Sequence, residues 1–410
     1  MILDTDSTPP GWRLSTFGRE MLVRGGLVDP RDPVWSGTVL IAPNHIESGT
    51  GRVLARETAA EQGADSGKYV VRAGDLIYSK IRPALNKVAV ATEDCLCSAD
   101  MYPVVPAKEA DVRFCQYYML ADPFLTYAAL AADRVKMPKV NREELSAAPW
   151  LVPALAEQRR IADYLDRETA TIDALIEKQR ALVGALRERR SAAIEHALQA
   201  AADRRLLLKR LVSRVDQGIS PDTSSATGLE DIWVLKSGAS NDGFFNEEAS
   251  KPVPESVTVP LGIELHEGDL VVSRASGSPR LVGSAAMVGQ LSRRLVLSDK
   301  NFRLVPSQNM WVRYLYWALN SQIYREQVLR SISGAEGLAN NLPLSKLMNF
   351  TVPVPPLEEQ HEIADHLDRE TAKIDALIAK AERFIELAQE RRAALITAAV
   401  TGQIEIPTED

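Results

Sequence analysis

One segment of this chain occurs twice, and this repeat limits the possible folds more than any other feature of the sequence. The sixteen residues IADYLDRETATIDALI at 161–176 return as IADHLDRETAKIDALI at 363–378, with fourteen identical positions and a constant offset of 202. The match extends without gaps to Glu157-Gln158 and Glu359-Gln360 upstream, and to the Glu-Arg-Arg triplets at 188–190 and 390–392 downstream. The two halves of the chain must therefore contain the same structural unit.

Each copy of the repeat has the pattern of a long helix. Proline marks the entry at Pro153 and at Pro355, and no proline interrupts either copy. A helix of about 40–45 residues would be about 60–70 Å long. Its apolar stripe needs a partner, so we expect the two copies to pack as an antiparallel coiled coil with internal pseudo-two-fold symmetry. A single amphipathic helix within a larger core is the alternative.

Apolar residues recur at a spacing of seven in both copies, which is typical of a coiled coil. We predict two series along the seam. The first series is Leu165, Ile172 and Leu186, with Leu367, Ile374 and Leu395 in the second copy. The second series is Ile161, Leu175 and Leu182, with Ile363, Leu377 and Phe384 in the second copy. Glutamate and arginine interrupt the second series at 168, 189, 370 and 391, so the predicted seam is imperfect.

The polar residues of the repeat are not required by coiled-coil packing, yet they recur without change. Recent duplication is one explanation, but the segments that precede the two copies have diverged far more than the copies themselves. We therefore predict that both copies contact the same partner surface, which implies two identical partners. The candidate partner-binding residues are Asp166, Arg167, Glu168, Thr169 and Asp173 in the first copy, and Asp368, Arg369, Glu370, Thr371 and Asp375 in the second.

Each copy follows a variable stretch of about 150 residues that has the signature of a mixed domain. Short β-rich runs, such as DLIYSKI and MYPVVP in the first half and DLVVSRA and RRLVLSD in the second, come before an aromatic, helical patch. The predicted fold class is α+β, with two mixed α/β domains separated and linked by the two long helices. The predicted boundaries are 1–150 for the first domain, 151–205 for the first helix, 206–352 for the second domain, 353–402 for the second helix and 403–410 for the tail.

Positive charge is concentrated in equivalent stretches of the two variable modules, 68–87 and 268–303, each of which contains a Gly-Asp-Leu sequence, at 74–76 and at 268–270. Paired basic stretches favour nucleic-acid binding, although either one alone is more simply a solvated surface. Lys80 and Arg274 stand at matching positions after that sequence and are the preferred nucleic-acid contacts. The full set of candidates is Lys68, Arg72, Lys80, Arg82, Lys87, Arg274, Arg280, Arg293, Arg294 and Lys300. A further basic run has no counterpart in the second half: Arg134, Lys136, Lys139 and Arg142.

Composition excludes several classes of protein. The chain is 45% hydrophobic and 25% charged, as ordinary globular proteins are, and no apolar run approaches the ~18 residues of a membrane-spanning helix. The net charge of −7 excludes a protein that is basic throughout, although a local basic patch is compatible with it. Three cysteines and an N-terminus without a signal-peptide pattern predict a reducing, cytoplasmic location.

Familiar catalytic motifs are absent from the sequence. The five histidines have no metal-ligand spacing, and Cys95 and Cys97 lack the second pair of a zinc site. No phosphate-binding GxxxxGK[ST] loop occurs. Asp122-Pro123-Phe124 is a fragment of a loop used by amino-methyltransferases, without its second proline and without a glycine-rich cofactor loop nearby. We expect a chain that is not an enzyme and that binds no metal.

The repeated motif PPLxEQxxIAxxLDxETAxIDxLI, complete at 355–378 and degraded at 152–176, resembles the specificity subunit of type I restriction–modification systems. The order of variable module and repeated helix is similar to that family along the whole chain, as is the closing Ala-Val-Thr-Gly-Gln-Ile at 399–404. The first copy departs from the pattern where Pro153-Ala154 replaces the double proline.

The resemblance implies a role in DNA recognition. Each module would be a target-recognition domain that reads one half of a split double-stranded DNA site. The helices would set the separation of the half-sites and dock two modification subunits, which are adenine methyltransferases. Restriction subunits, which are translocases and nucleases, would join that core. S-adenosylmethionine, ATP and magnesium would then belong to the partner subunits and not to this chain.

Two other functions stay open on the sequence. A coiled-coil scaffold for protein partners, without DNA binding, accounts for the helices and the acidic charge but leaves the paired basic stretches unexplained. A self-sufficient methyltransferase or nuclease conflicts with the absent motifs. A test of whether the assembled complex binds DNA would separate the scaffold from the recognition subunit.

Overall fold

The computed structural model describes residues 8–132, 138–200, 204–228, 230–332 and 340–407. Backbone contacts divide the chain into two compact units. The first unit comprises residues 1–180 and 382–410, and the second comprises residues 181–381. Each unit contains one module and half of each long helix. We call the described residues of 8–152 the first module and those of 204–354 the second module.

The first module is built on two four-stranded sheets. One sheet is antiparallel throughout, in the order Met21–Val23, Met101–Pro106, Leu76–Ser79 and Val88–Val90. The other has the order Leu27–Val28, Lys68–Val71, Cys95–Cys97 and Leu40–Ile41, with its last pair parallel. A separate antiparallel pair joins the start of the module to its end, Arg13–Thr16 with Pro149–Val152. The second strand of this pair leads directly into the first long helix, which begins at Leu155.

An aromatic cluster fills the core of the first module. The Trp150 ring centroid lies 4.1 Å from that of Tyr118, 5.8 Å from that of Phe17 and 6.1 Å from that of Phe124. Such large rings bury much apolar surface for each residue that is ordered. The helices of the first module are Phe17–Glu20, Pro33–Ser36, Val112–Leu120, Asp122–Ala132 and Arg142–Ser146, with 3-10 turns at Pro43–His45 and Pro83–Leu85.

The second module repeats the antiparallel sheet of the first in the same strand order. Its strands are Val212–Gln217, Asn301–Pro306, Leu270–Ser273 and Ala285–Met287. A three-stranded sheet follows the order Ser250–Pro252, Ile232–Leu235 and Arg294–Val296, with its last pair parallel. Three two-stranded pairs complete the module: Arg205–Leu207 with Thr351–Pro353, Ser240–Asn241 with Phe244–Phe245, and Ala275–Ser276 with Asn340–Asn341.

Helices of the second module also follow the order of the first. Val312–Ala318 and Gln322–Leu329 come after the long central strand, as their counterparts do in the first module. The remaining short helices are Leu344–Leu347 and the 3-10 turns Leu208–Arg210, Ser237–Ala239 and Pro279–Leu281. The predicted α+β class and the internal repeat are therefore confirmed.

The two repeat copies form the long helices Leu155–Ala200 and Leu357–Val400, of 46 and 44 residues. In the first unit the start of the first helix shares a core with the end of the second, through Ile161, Leu165, Ile396 and Val400. In the second unit the end of the first helix shares a core with the start of the second, through Ile194, Leu198, Ala364 and Leu367. The predicted antiparallel packing is confirmed in both units.

Most of the second predicted seam series was wrong, although its first member, Ile161, is buried between the helices and the module. Leu175, Leu182, Leu377 and Phe384 are 41–51% exposed, whereas the residues one position later are buried in the first copy and half-buried in the second. The actual series is Ala162, Thr169, Ile176, Val183 and Arg190 in the first copy, with Ala364, Thr371, Ile378, Ile385 and Arg392 in the second. Apolar residues occupy both neighbouring positions, so heptad counting did not distinguish them. The glutamates and arginines that interrupted the predicted series do not lie on the seam.

No helix in the described ranges is both long enough and apolar enough to cross a membrane. The division of the chain into five segments stays a prediction, and its first seven and last three residues lie outside the described ranges.

Candidate nucleic-acid interface

The two preferred DNA-contact residues occupy equivalent backbone positions. Lys80 directly follows the strand Leu76–Ser79, and its amide donates to the carbonyl of Asp100 at 3.1 Å. Arg274 directly follows the strand Leu270–Ser273, and its amide donates to the carbonyl of Lys300 at 2.7 Å. In both modules a second segment then pairs alongside, because Val140 donates to the Lys80 carbonyl and Leu342 to the Arg274 carbonyl. The match seen in the sequence is therefore a match in structure.

A cluster of cations surrounds Lys80. The Lys80 ammonium lies 4.8 Å from the ring centroid of Tyr102 and 5.9 Å from that of Tyr69. The Arg142 guanidinium lies 5.5 Å and 5.9 Å from the same two centroids. Lys139 joins them because the segment around it forms a β-bridge with the residue after Lys80. We call Tyr69, Lys80, Tyr102, Lys139 and Arg142 the Lys80 cluster.

Among the described residues, no carboxylate forms an ion pair with the Lys80 cluster. Within the described ranges none of its three cations forms an ion pair, although Asp100 is near enough to favour the charged form of Lys80. Burial and then the charge of Lys139 lower the pKa of Lys80, and Arg142 adds to the effect. Lys139 and Arg142 are exposed, whereas Lys80 is only 7% exposed. The arrangement favours an anionic ligand that would relieve this repulsion.

The other candidates of the first module are mostly engaged within the protein. The Lys68 ammonium donates to the carbonyl of Ser66 at 2.6 Å, and the Lys87 ammonium donates to that of Pro43 at 2.6 Å. Arg72 forms an exposed ion pair with Asp94. Arg82 is exposed with a φ of +46°, at the start of a 3-10 turn. Of the unmatched basic run, Arg134 and Lys136 lie outside the described ranges.

Carboxylates pair with most of the candidates in the second module. Arg274 itself donates to the carbonyl of Asp299 at 3.1 Å, and its guanidinium lies 5.8 Å from the Phe302 ring. The ion pairs are Arg280 with Asp242, Arg293 with Glu247 and Glu248, Arg294 with Glu264, and Lys300 with Asp299. Most of these acids come from other segments of the module, so counting charges along one stretch of sequence did not reveal them.

The aspartate of each Gly-Asp-Leu sequence has a structural role. Asp75 accepts the amide of Arg72 at 2.8 Å and pairs with Arg24 at 2.9 Å. Asp269 accepts the amide of His266 at 2.9 Å and pairs with Arg303 at 3.0 Å. These contacts close the turn that precedes the strand leading to Lys80 or Arg274, and so they fix where that strand begins.

Several predicted partner-binding residues contact the chain's own modules. Asp166 accepts hydrogen bonds from Arg113 and from the Tyr117 hydroxyl, both at 2.7 Å. Thr169 and Thr371 are buried, and their hydroxyls donate to the carbonyls four residues earlier, Leu165 and Leu367, at 2.6 Å. The partner-binding assignment stays a prediction, but the structure supplies an internal reason for part of the repeated pattern.

Exposed apolar side chains of the repeat were not predicted as contact residues. Leu175 and Leu182 are 44% and 45% exposed, and the residues at the same places in the second copy, Leu377 and Phe384, are 51% and 41% exposed. The spacing that led us to place them in the seam could have identified them, because each copy has one apolar series more than the seam uses.

The described residues contain no group of histidine, cysteine, aspartate and glutamate side chains that could hold a metal ion. Cys95, Cys97 and Cys115 are buried thiols. Burial raises the pKa of Cys95 to about 12 and also raises the pKa values of the other two.

Comparison with known proteins identifies the family. The sequence model described as "Type I restriction modification DNA specificity domain" matches residues 36–183 and 263–386, which is more than half of the chain. The chain belongs to this family. The two matched segments each include part of one module and part of one long helix, so the family's domain occurs twice in this specificity-family chain.

Curated relatives agree with this assignment. The chain is 39% identical over 173 residues to the "Type I restriction enzyme EcoDI specificity subunit" of Escherichia coli, which covers 42% of this chain and 38% of that protein. It is 28% identical over 162 residues to the EcoEI specificity subunit of Escherichia coli, covering 38% and 27%. The matches thus span less than half the length of these relatives.

One solved chain has the same fold. Its structure is described as "Structural basis underlying complex assembly and conformational transition of the type I R-M system". It has a TM-score of 0.65 and 21% identity, and the match covers 97% of this chain and 99% of that one. At this identity the likeness shows the fold alone.

Proposed function

We propose that this specificity-family chain is the DNA-recognition subunit of a type I restriction–modification complex. Each module reads one half of a bipartite site in double-stranded DNA. The paired helices set the spacing between the half-sites and dock two methyltransferase subunits, and restriction subunits join that core. The location is the cytoplasm.

The Lys80 cluster is the observation that carries this proposal. Two cations over a pair of tyrosine rings, with Lys139 beside them and no ion pair to a carboxylate in the described ranges, are suited to the phosphates of a DNA backbone. An acidic chain that leaves such a cluster unneutralised has a local surface for a polyanion. The match to a family described by DNA specificity supports the same function.

Exposed apolar residues of the helices support the docking of two identical subunits. Leu175 and Leu377 occupy the same place in the two copies, as do Leu182 and Phe384, and all four are exposed. Large apolar side chains at equivalent exposed positions are typical of protein interfaces. We propose that these residues contribute to the partner surface together with polar residues of the repeat that form no hydrogen bond with a module in the described part of the chain, such as Glu168 and Glu370.

The chain itself supplies recognition and not catalysis, in keeping with relatives that are named specificity subunits. S-adenosylmethionine, ATP and magnesium are then ligands of the methyltransferase and restriction subunits.

Methyladenine sequencing of the source genome, with and without this gene, tests the proposal. Loss of methylation at one bipartite motif on deletion of the gene is the expected result, and it would also give the recognition sequence. Retention of every methylated motif in a strain whose methyltransferase subunit is expressed and active would contradict it.

A charge reversal tests the DNA contact in the second module. Arg274→Glu in the assembled complex is expected to weaken DNA binding, because Arg274 matches Lys80 in backbone position. Unchanged affinity and unchanged salt dependence would remove Arg274 from the interface. A complex that binds no DNA at all in its wild-type form would instead favour the protein scaffold, which is the alternative function.

The helices as a spacer can be tested separately. Insertion of four residues beside Ala185, in the first long helix, is expected to change the half-site spacing or abolish recognition. An unchanged methylated motif would refute the spacer.

A further inference from the structure

Three residues of the repeat make the same type of contact with the adjoining module in both units. Gln158 accepts a hydrogen bond from the amide of Asp111 at 2.9 Å and donates to the carbonyl of Pro153 at 2.9 Å. Gln360 accepts from the amide of Trp311 at 2.9 Å and donates to the carbonyl of Pro355 at 2.9 Å. Asp111 and Trp311 are the N-cap residues of Val112–Leu120 and Val312–Ala318. The repeated glutamine therefore holds the first turn of a module helix in each unit.

The second shared contact lies farther along the same module helices. In the first unit Asp166 accepts from Arg113 and Tyr117. In the second unit Asp368 forms an ion pair with Arg313 at 2.6 Å and accepts a hydrogen bond from the indole nitrogen of Trp317 at 3.0 Å. Tyrosine and tryptophan differ in shape, but each directs a donor at the same carboxylate. The acceptor has remained while the module residue has changed.

The third shared contact joins the two long helices to the module. In the first unit Arg392 pairs with Asp173 at 2.9 Å and donates to the carbonyls of Gly49 and Thr50 at 2.9 and 3.2 Å. The Arg392 side chain is only 7% exposed. One guanidinium thus links the first helix, the second helix and a loop of the first module.

The second unit has the corresponding pair. Arg190 bonds Asp375 at 2.9 Å, and its guanidinium lies 5.4 Å from the Phe244 ring and 5.7 Å from the Trp317 ring. The two arginines occupy the same position of the repeat, but Arg392 contacts loop carbonyls and Arg190 contacts aromatic ring faces. Both are good acceptors for a guanidinium, which explains how one repeated residue fits two different modules.

We propose that these repeated residues form a mount that holds each module in one orientation on the helix pair, and that they act as positioning residues for DNA recognition. The members of the mount are Gln158, Asp166, Asp173 and Arg392 in the first unit, and Gln360, Asp368, Asp375 and Arg190 in the second. This inference rests on the proposed function for its purpose, but the mount itself is a property of each unit and can be tested without DNA. It also accounts for why these polar residues recur beside modules that differ.

The test measures module orientation directly. Spin labels at Ala60→Cys and Lys178→Cys, both exposed positions of the first unit, report the distance between module and helix in the full chain. Asp166→Ala is expected to broaden that distance distribution and to speed amide exchange in 112–120 by about tenfold, the effect of losing a charge-assisted hydrogen bond on local opening. Glu168→Ala is the matched control, since in the described part of the chain Glu168 makes no hydrogen bond or ion pair with the module.

A second variant approaches the same contact from the module. Arg113→Gln is expected to reproduce the broadening, because it removes the pairs with both Asp163 and Asp166 of the long helix. The double variant with Asp166→Ala is expected to add less than the sum of the two single effects, since both changes remove the Arg113–Asp166 pair. An unchanged distance distribution and unchanged exchange in folded Asp166→Ala and Arg113→Gln chains would overturn the mount.

Binding of the methyltransferase subunits and of DNA by the Asp166→Ala chain distinguishes a positioning residue from a partner contact. The mount predicts that Asp166→Ala still binds two methyltransferase subunits and that the complex discriminates less well between its DNA site and other sequences. Loss of a methyltransferase subunit with module orientation unchanged would make Asp166 a partner contact and overturn the mount. If the wild-type complex shows no DNA specificity, the proposed function fails, while the distance and exchange results still decide whether the mount exists.

Discussion

The two modules share a frame but present different chemistry at the same place. In the first, Lys80 lies over Tyr102, with Lys139 and Arg142 beside it. In the second, Arg274 lies over Phe302. The repeat offset of 202 residues places Asn341 and Leu344 at the positions of Lys139 and Arg142.

The backbone beneath this site does not differ in the same way. The turn, the strand and the paired segment recur in both modules, and so do the contacts to the long helices. The two modules therefore share the mount and this backbone frame, which consists of the turn, the strand and the paired segment. The side chains that the frame carries, such as Lys80 and Arg274, differ between the modules. Two half-sites of different sequence would require such an arrangement.

The largest expected difference between the units is in how much free energy of unfolding is lost when a core side chain is truncated. Trp150 and Val352 occupy the same position relative to the repeat, and both are buried. Trp150→Ala is expected to lower the free energy of unfolding of the first unit by about 3–5 kcal/mol, because it empties the centre of an aromatic cluster. Val352→Ala is expected to lower that of the second unit by about 2 kcal/mol. Urea unfolding, with a separate probe in each unit, measures both, and equal losses would show that the two cores are equivalent.

The ion pair of the Gly-Asp-Leu turn differs in burial between the modules. Arg303 is 7% exposed and pairs with Asp216 and Asp269, whereas Arg24, which pairs with Asp75, is 33% exposed. Arg303→Met is expected to destabilise the second unit by about 3 kcal/mol, since it leaves Asp269 without its cation and Asp216 with Arg214 alone. Arg24→Met is expected to cost less, about 1–2 kcal/mol, because Asp75, although its side chain is only 6% exposed, keeps the hydrogen bond from the Arg72 amide. Urea unfolding would contradict this prediction if Arg24→Met proved the more damaging change.

The unneutralised cations predict that the first module contributes more to salt-dependent DNA binding. The double variant Lys139→Gln and Arg142→Gln is expected to reduce the slope of log affinity against log salt by about 2, at about 0.9 for each phosphate contact. Arg31→Gln with Arg56→Gln removes two charges from the same module, but these arginines already pair with Asp29 and Glu93. The control should leave the slope nearly unchanged. Equal effects of the two double variants would show that overall charge matters and the cluster does not.

The smallest expected effect concerns the reactivity of the cysteine thiols, which are present in the first unit alone. All three cysteines are in the first unit, buried, with pKa values raised by burial, so little thiolate forms at neutral pH. Iodoacetamide is therefore expected to label the folded chain very slowly. Trp150→Ala should accelerate labelling, and Val352→Ala should leave it unchanged. Acceleration by both variants would show that the two units open together.

How much of the site could be predicted varied with the kind of information needed. Lys80 and Arg274 were matched from the sequence because a local signal, Gly-Asp-Leu followed by a strand, fixes their position. The aromatic rings beneath them and the carboxylates that pair with Arg280, Arg293 and Arg294 come from other segments. Only folding brings those segments together, so counting charges in one stretch overestimated how much positive charge the second module leaves unpaired.

The sequence by itself determined the repeat, the two long helices, the mixed modules and the family, because each depends on a local pattern or a direct match. The tertiary structure alone decided which apolar series enters the seam, since Leu175 and Ile176 are adjacent and equally apolar, and only packing against the other helix makes one of them buried. It also decided what Asp166 and Asp173 contact, because their partners lie about 50 and 219 residues away. A hydrogen bond between distant residues depends on where the chain places both of them, and no local pattern contains that information.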